Sequence, residues 1–239
     1  MSVQMDPSWE SFNLARLRME ALMDPAGINV AVEIHDKSVF AKVSPFVVKV
    51  LGIDQHGTTV GEFSGFLHCG VIVTAGHEHG FSGKPTGSTS SVETFKAVYS
   101  DGSDEVVTVL RAPPPPSNVP DLMLLKGSHN AAPQFRGKAV AIMETVYAFR
   151  YSSGVGVPAG QPPSCSKGLI ASVTIGAFAI ATNAADNGFS GGPVVDRIGR
   201  LVGVIRGGLP GTTVPRVDIT SSFDVHTFLL QAGQPGLST

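Results

Sequence analysis

Asn187-Gly188-Phe189-Ser190-Gly191-Gly192-Pro193, followed by the apolar pair Val194-Val195, decides how the rest of this chain is read. A serine that attacks a carbonyl needs an exposed Oγ on a rigid turn, a base within hydrogen-bond reach, and backbone N–H groups aimed at the developing oxyanion. Gly188 lets the backbone take an unusual conformation and point its N–H inward. The N–H groups of Gly188 and Ser190, two residues apart, would then form the oxyanion hole. Gly191 and Gly192 leave room for a substrate to approach, and Pro193 opens the next strand.

Two further stretches supply partners for such a serine. In Val71-Ile72-Val73-Thr74-Ala75-Gly76-His77 a hydrophobic strand runs out and places a histidine just beyond its end. In Pro120-Asp121-Leu122-Met123-Leu124-Leu125 a carboxylate heads an otherwise apolar strand, where it can be held partly buried. From there it would accept a hydrogen bond from His77 Nδ1–H and fix the tautomer whose Nε2 takes the serine proton.

The surrounding chain reads as short strands rich in valine, isoleucine, threonine and phenylalanine. Strands are expected at Phe46–Leu51, Thr58–Leu67, Val71–Thr74, Val92–Tyr99, Glu105–Leu110 and Leu122–Leu125. After a break near Gly127–Phe135 a second set follows at Ala139–Met143, Val146–Tyr151, Leu169–Thr182, Pro193–Val195, Leu201–Ile205 and Val214–Ile219. Ala112–Pro120, with four consecutive prolines, and the glycine- and proline-rich Ser152–Ser166 read as loops. The count fits two successive six-stranded antiparallel barrels, and strands without intervening helices argue against a parallel α/β sheet. The expected organisation is an N-terminal helical extension over 1–29, a first barrel over 30–130, a second over 131–232, and a flexible tail over 233–239. The helical pattern is that of Trp9–Met23, where Trp9, Phe12, Ala15, Met19, Leu22 and Met23 recur at three- and four-residue steps.

These three motifs resemble those of the trypsin/chymotrypsin-like serine peptidases. Thr74-Ala75-Gly76-His77 is similar to the family's T-A-A-H, Pro120–Leu125 to its D-[IL]-A-L-[LV], and Gly188–Pro193 to its G-D-S-G-G-P. The order His, Asp, Ser is the family's order, with 44 residues from His77 to Asp121 and 69 from Asp121 to Ser190. The resemblance, which spans roughly Val30–Leu230, implies an all-β, chymotrypsin-like double barrel with the active site in the cleft between the barrels. It implies acylation of Ser190 with His77 as general base, then general acid, and deacylation by water. No metal or cofactor is required.

The chain departs from the secreted digestive members at Phe189, where they carry an aspartate that pairs with an N-terminus released by zymogen cleavage. Phenylalanine cannot form that pair, so maturation without N-terminal processing is expected, as in HtrA-type and viral members. By motif offset the specificity pocket has Ala184 at its base with Ala185 beside it, and Arg206-Gly207-Gly208 along the opposite wall. Nothing there supplies the carboxylate that a Lys/Arg-specific enzyme needs, so a small or apolar P1 residue is expected. Arg206 either attracts an acidic P1 side chain or points into solvent.

Bulk properties bound the rest. With 239 residues, 42% hydrophobic and 15% charged, the chain is globular, and a net charge of −2 gives no reason to expect nucleic acid or an anionic membrane as partner. No apolar run reaches the ~18 residues of a membrane span. The first 25 residues lack the features of a signal peptide, so an intracellular, cytoplasmic protein is expected, acting on protein or peptide substrates. The N-terminal helix is a candidate surface for self-association or a partner. Cys69 and Cys165 are expected to be reduced, buried thiols. His79 competes with His77 for the base role, since in an extended segment both project from one face; the motif match favours His77. Zinc on His77 with His79 or His68 lacks an evident completing ligand. Asp101 and Asp104 are alternative acids in a polar turn. Two rival readings remain: an α/β-hydrolase using Ser190, Asp218 or Asp224, and His226, which needs a helix directly after the serine; and a catalytically silent or partner-activated pseudoprotease serving as a binding module.

Overall fold

The computed structural model describes residues 35–76, 92–112, 120–151, 161–182, 190–208 and 216–236. The chain divides into two units, Met1–Ala41 and Lys42–Thr239. In the first, the described residues 35–41 are helical, part of α1 (residues 35–43). There Ser38 Oγ donates to His35 O at 2.7 Å. The amphipathic pattern at Trp9–Met23 lies outside the described residues.

The second unit is built on antiparallel strands in two groups. The first group comprises β1 (Val47–Ile53), β2 (Thr59–His68), β3 (Val71–Ala75), β4 (Thr94–Val98), β5 (Asp104–Val107), β6 (Val109–Arg111) and β7 (Leu122–Lys126). They form a barrel-like sheet in the order β5-β4-β1-β2-β3-β7-β6. The second group comprises β8 (Thr145–Arg150), β9 (Ser164–Thr174), β10 (Ala177–Ala181), β11 (Pro193–Val195), β12 (Leu201–Gly208) and β13 (Arg216–Ser221), closed into a six-stranded barrel in the order β10-β13-β12-β11-β8-β9. Helix α2 (Ser222–Gln231) follows β13 directly. Among the described residues no helix is long and apolar enough to cross a membrane.

Strand periodicity explains how the two groups join. On β7, Met123 and Leu125 enter the core of the first sheet with Val48, Val50 and Ile72. Leu122 and Leu124 point the other way, into a cluster with Phe66, Val73, Leu201, Val204 and Phe228. That double burial is why the sequence after Asp121 is a continuous apolar run and not an alternating one. On β12 a register shift opposite β11, which leaves Val202 unpaired, gives a like division: Val202 and Ile205 fill the closed barrel while Leu201 and Val204 face the shared cluster. Helix α2 caps this cluster with Val225, Phe228 and Leu229. Each large aliphatic or aromatic side chain so buried contributes about 1.5–3 kcal/mol.

The hairpin joining β2 to β3 turns through Cys69 and Gly70, at φ 49° and 85°. Two successive positive φ values give the turn whose twist matches the flanking strands.

The all-β double-barrel expectation holds, with particular corrections. Glu105–Leu110 is two strands, so the first group has seven. Leu169–Thr182 is also two strands, turning at Ile175-Gly176, and β9 already begins at Ser164. Ala139–Met143 is not a strand: residues 142–143 form a turn, with Ile142 and Met143 exposed and Met143 at φ 67°. Cys69 and Cys165 are exposed, not buried, and neither is in a disulfide. Cys69 is turned outward by its place in the hairpin, Cys165 by its place on β9.

Candidate active site

Ser190 sits in the turn leading into β11. The turn is locked on both sides. Gly191 N donates to Ile205 O at 2.8 Å and Ile205 N donates to Gly192 O at 2.9 Å, tying it to β12. Ser64 N, on β2 of the first sheet, donates to Ser190 O at 2.9 Å. Gly191 has φ +86°, and a Cβ there would lie 2.1 Å from Ser64 O, 2.2 Å from Thr74 Oγ1 and 2.7 Å from Ala75 N. Only glycine serves at this point, because the conformation is left-handed and two backbones pass within contact of it.

Ser64 and Thr74 went unrecognised in the sequence. Ser64 is fully buried; its carbonyl also accepts from Thr74 Oγ1 at 2.7 Å and its Oγ accepts from Tyr151 N at 2.9 Å. These bonds join β2, β3 and the end of β8 behind the serine turn, so each barrel fixes part of it. The only local mark of Ser64 and Thr74 is a small hydroxyl residue within the buried stretch of each strand.

Asp121 is buried at the head of β7, where Leu122 N donates back to Pro120 O at 2.8 Å. Ala75, the last residue of β3, pairs with Leu122, so the end of one motif strand lies beside the start of the other. The alternative acids are engaged elsewhere. Asp101 accepts from Ser103 and lies 3.8 Å from His129, while Asp104 pairs with Lys96 at 3.0 Å.

One residue of β12 touches both ends of the site. Ser190 Oγ donates to Arg206 O at 3.2 Å, and Arg206 Nε lies 4.0 Å from Asp121 Oδ2. The Arg206 side chain is 35% exposed and that of Asp121 only 6%. Its neighbour Gly207 has nothing within 4 Å of a built Cβ, which leaves open space along that wall. His77, His79, Ala184, Ala185 and Gly188 lie outside the described residues.

The α/β-hydrolase reading fails on two counts. Ser190 is followed by strand β11, not a helix, and Asp224 sits in the first turn of α2, where its Oδ2 accepts from the N-cap Ser221 Oγ at 3.2 Å. Among the described residues no group of three or more His, Cys, Asp or Glu could hold a metal ion. His68 is fully buried, and its Nε2–H donates to Pro235 O at 2.8 Å. Desolvation holds its pKa below the usual histidine value, the bond to Pro235 opposes this, and nearby His226 adds to it.

The sequence model of the trypsin-like peptidase domain matches residues 63–204. No curated protein sequence matches the chain. Among solved structures it is similar to the serine endoprotease from Yersinia pestis (TM-score 0.66, 16% identity), covering 82% of this chain and 65% of that one, so it spans less than two thirds of that relative's length. It is also similar to the active form of the Rv3671c protease from M. tuberculosis (TM-score 0.65, 18% identity, covering 86% of this chain and 88% of that one). The inactive form of that protease gives a TM-score of 0.61 at 19% identity, covering 84% and 95%. At these identities the structural likeness is one of fold.

Proposed function

The chain belongs to the trypsin-like peptidase domain family, and on that premise we propose that it is a serine endopeptidase with His77, Asp121 and Ser190 as its triad. The observation that carries this reading is the convergence of Asp121 and Ser190, 69 residues apart, on the single residue Arg206. In the proposed reaction His77 Nε2 removes the Ser190 proton as Oγ adds to the scissile carbonyl. The N–H groups of Gly188 and Ser190 hold the oxyanion. His77 then gives its proton to the leaving amine, and water repeats the sequence on the acyl-enzyme to release the acid. Asp121 stabilises the imidazolium formed in each half. The chemistry calls for neither metal nor cofactor.

Ala184 and Ala185 with Gly207 and Gly208 would wall a pocket for a small or apolar P1 side chain, and the open space at Gly207 supports that reading. Phe189 in place of an aspartate supports activity without N-terminal processing; the proposed substrates are proteins or peptides, in an intracellular, cytoplasmic setting. A second reading, a partner-activated or silent relative, is favoured by one observation: Ser190 Oγ donates to a backbone carbonyl, a contact that attack would have to break. The uncut chain incubated with a peptide library separates these. Cleavage after small or apolar residues, absent in Ser190→Ala, is expected. Fastest cleavage after Lys or Arg refutes the pocket, and activity appearing only after a cut following residues 25–32 refutes the unprocessed form.

A further inference from the structure

Arg206 occupies its position because of a flaw in a ladder. Between β12 and β13, Ile205 faces Ile219 and Gly207 faces Asp218, so Arg206 is the extra residue of a β-bulge. A bulge leaves one residue unpaired, bends the strand and re-aims the side chain. Here the Arg206 carbonyl meets Ser190 Oγ while its guanidinium comes within ion-pair reach of a nearly fully buried carboxylate.

We infer that Arg206 is a positioning residue that sets the proton affinity of the catalytic base, an inference that rests on the triad proposed above. A lone carboxylate facing an imidazole raises its affinity for a proton. A guanidinium on the same carboxylate offsets part of that field, and it stays charged throughout the working range. His77 is thereby kept neutral, and able to act as a base, at lower pH than with Asp121 alone. The cost is weaker support for the imidazolium that forms in the reaction.

The other charges around β7 do not substitute for Arg206. Arg111 on β6 is turned toward α2, donating to Phe228 O and Gln231 Oε1 and lying over the Phe228 ring. Lys126 is at the far end of β7. Asp218 on β13 stands across from Gly207, one residue past the bulge. In the proposed triad, the imidazole of His77 is the titratable group that faces Asp121.

The test is an NMR titration of the histidine imidazoles in the full chain, with His77 assigned by its loss in His77→Ala. The pH profile of fluorophosphonate labelling is recorded alongside. Removing the charge in Arg206→Met or Arg206→Gln is expected to raise the His77 midpoint, and the acid limb of labelling, by roughly half to one pH unit. Arg206→Lys is expected to restore the wild-type value, and Asp121→Asn to lower it. An unmoved midpoint in both neutral variants, while Asp121→Asn still lowers it, overturns the role of Arg206. A midpoint insensitive to Asp121→Asn as well refutes the triad, and the inference falls with it. The NMR readout needs no turnover, so a silent relative is tested equally.

Discussion

Replacing Gly191 by alanine tests the lock on the serine turn. An L-residue at φ +86° costs about 1–2 kcal/mol in backbone conformation alone. The new methyl would also stand 2.1 Å from Ser64 O and 2.2 Å from Thr74 Oγ1, so β2 or β3 must retreat by an ångström or more. That overpacking costs about 1–3 kcal/mol. Loss of the Ser64 N to Ser190 O hydrogen bond adds about 1 kcal/mol. The sum, about 3–6 kcal/mol, is a large share of the ~5–15 kcal/mol that holds a domain together. In a chain of this size it lowers Tm by roughly 6–24 °C. Urea and thermal unfolding followed by circular dichroism measure it, with Gly57→Ala as control. Gly57 has φ +78° and nothing within 4 Å, so that variant carries the backbone cost alone. A Gly191→Ala protein within about 1 kcal/mol of the Gly57→Ala protein, and equally reactive at Ser190, refutes the claim that both barrels clamp the turn.

Two further outcomes are expected. Asp121→Asn keeps the volume of the buried side chain but removes the charge that orients the base, so the rate of serine labelling falls by about three to four orders of magnitude while the fold survives. Stopped labelling assays and circular dichroism check this together. His68 takes up a proton less readily folded than unfolded, because burial disfavours its charge. Its contribution to stability is therefore whole above the ordinary histidine value of 6.5 and is lost as pH falls below it. Urea midpoints between pH 7.5 and 5 should decline less steeply in His68→Gln than in the wild type.

What the sequence discloses here is the local part of the structure. The run Leu122–Leu125 announces a strand buried on both faces, and the motif around Ser190 announces a glycine-dependent turn; Gly191, expected to leave room for a substrate, instead folds against Ser64 O and Thr74 Oγ1. Asp121 stands at the head of its strand as its apolar followers require. Helix α2 was also announced, by Ser221 three residues before Asp224: Asp224 N donates to Ser221 Oγ at 3.2 Å. In a chain otherwise full of strands, so short a signal stands out little. Ala139–Met143 misleads for the opposite reason, since an apolar run is read as buried although Ile142 and Met143 are exposed. Leu169–Thr182 looks like one strand because its apolar texture continues through the turn, with Gly176 as the only break. The bulge at Arg206 was not legible at all. It follows from how β12 registers against β13, which depends on the facing strand as well as on β12 itself. The same holds for Ser64 and Thr74, which matter only because Gly191 folds onto them.

A working acyl-transfer serine at position 190 is read out by labelling the purified protein with a fluorophosphonate probe beside Ser190→Ala and His77→Ala. The uncut wild type is expected to label, with labelling abolished in Ser190→Ala and strongly reduced in His77→Ala. A folded wild-type protein that takes up no probe, or labelling that persists in Ser190→Ala, contradicts it.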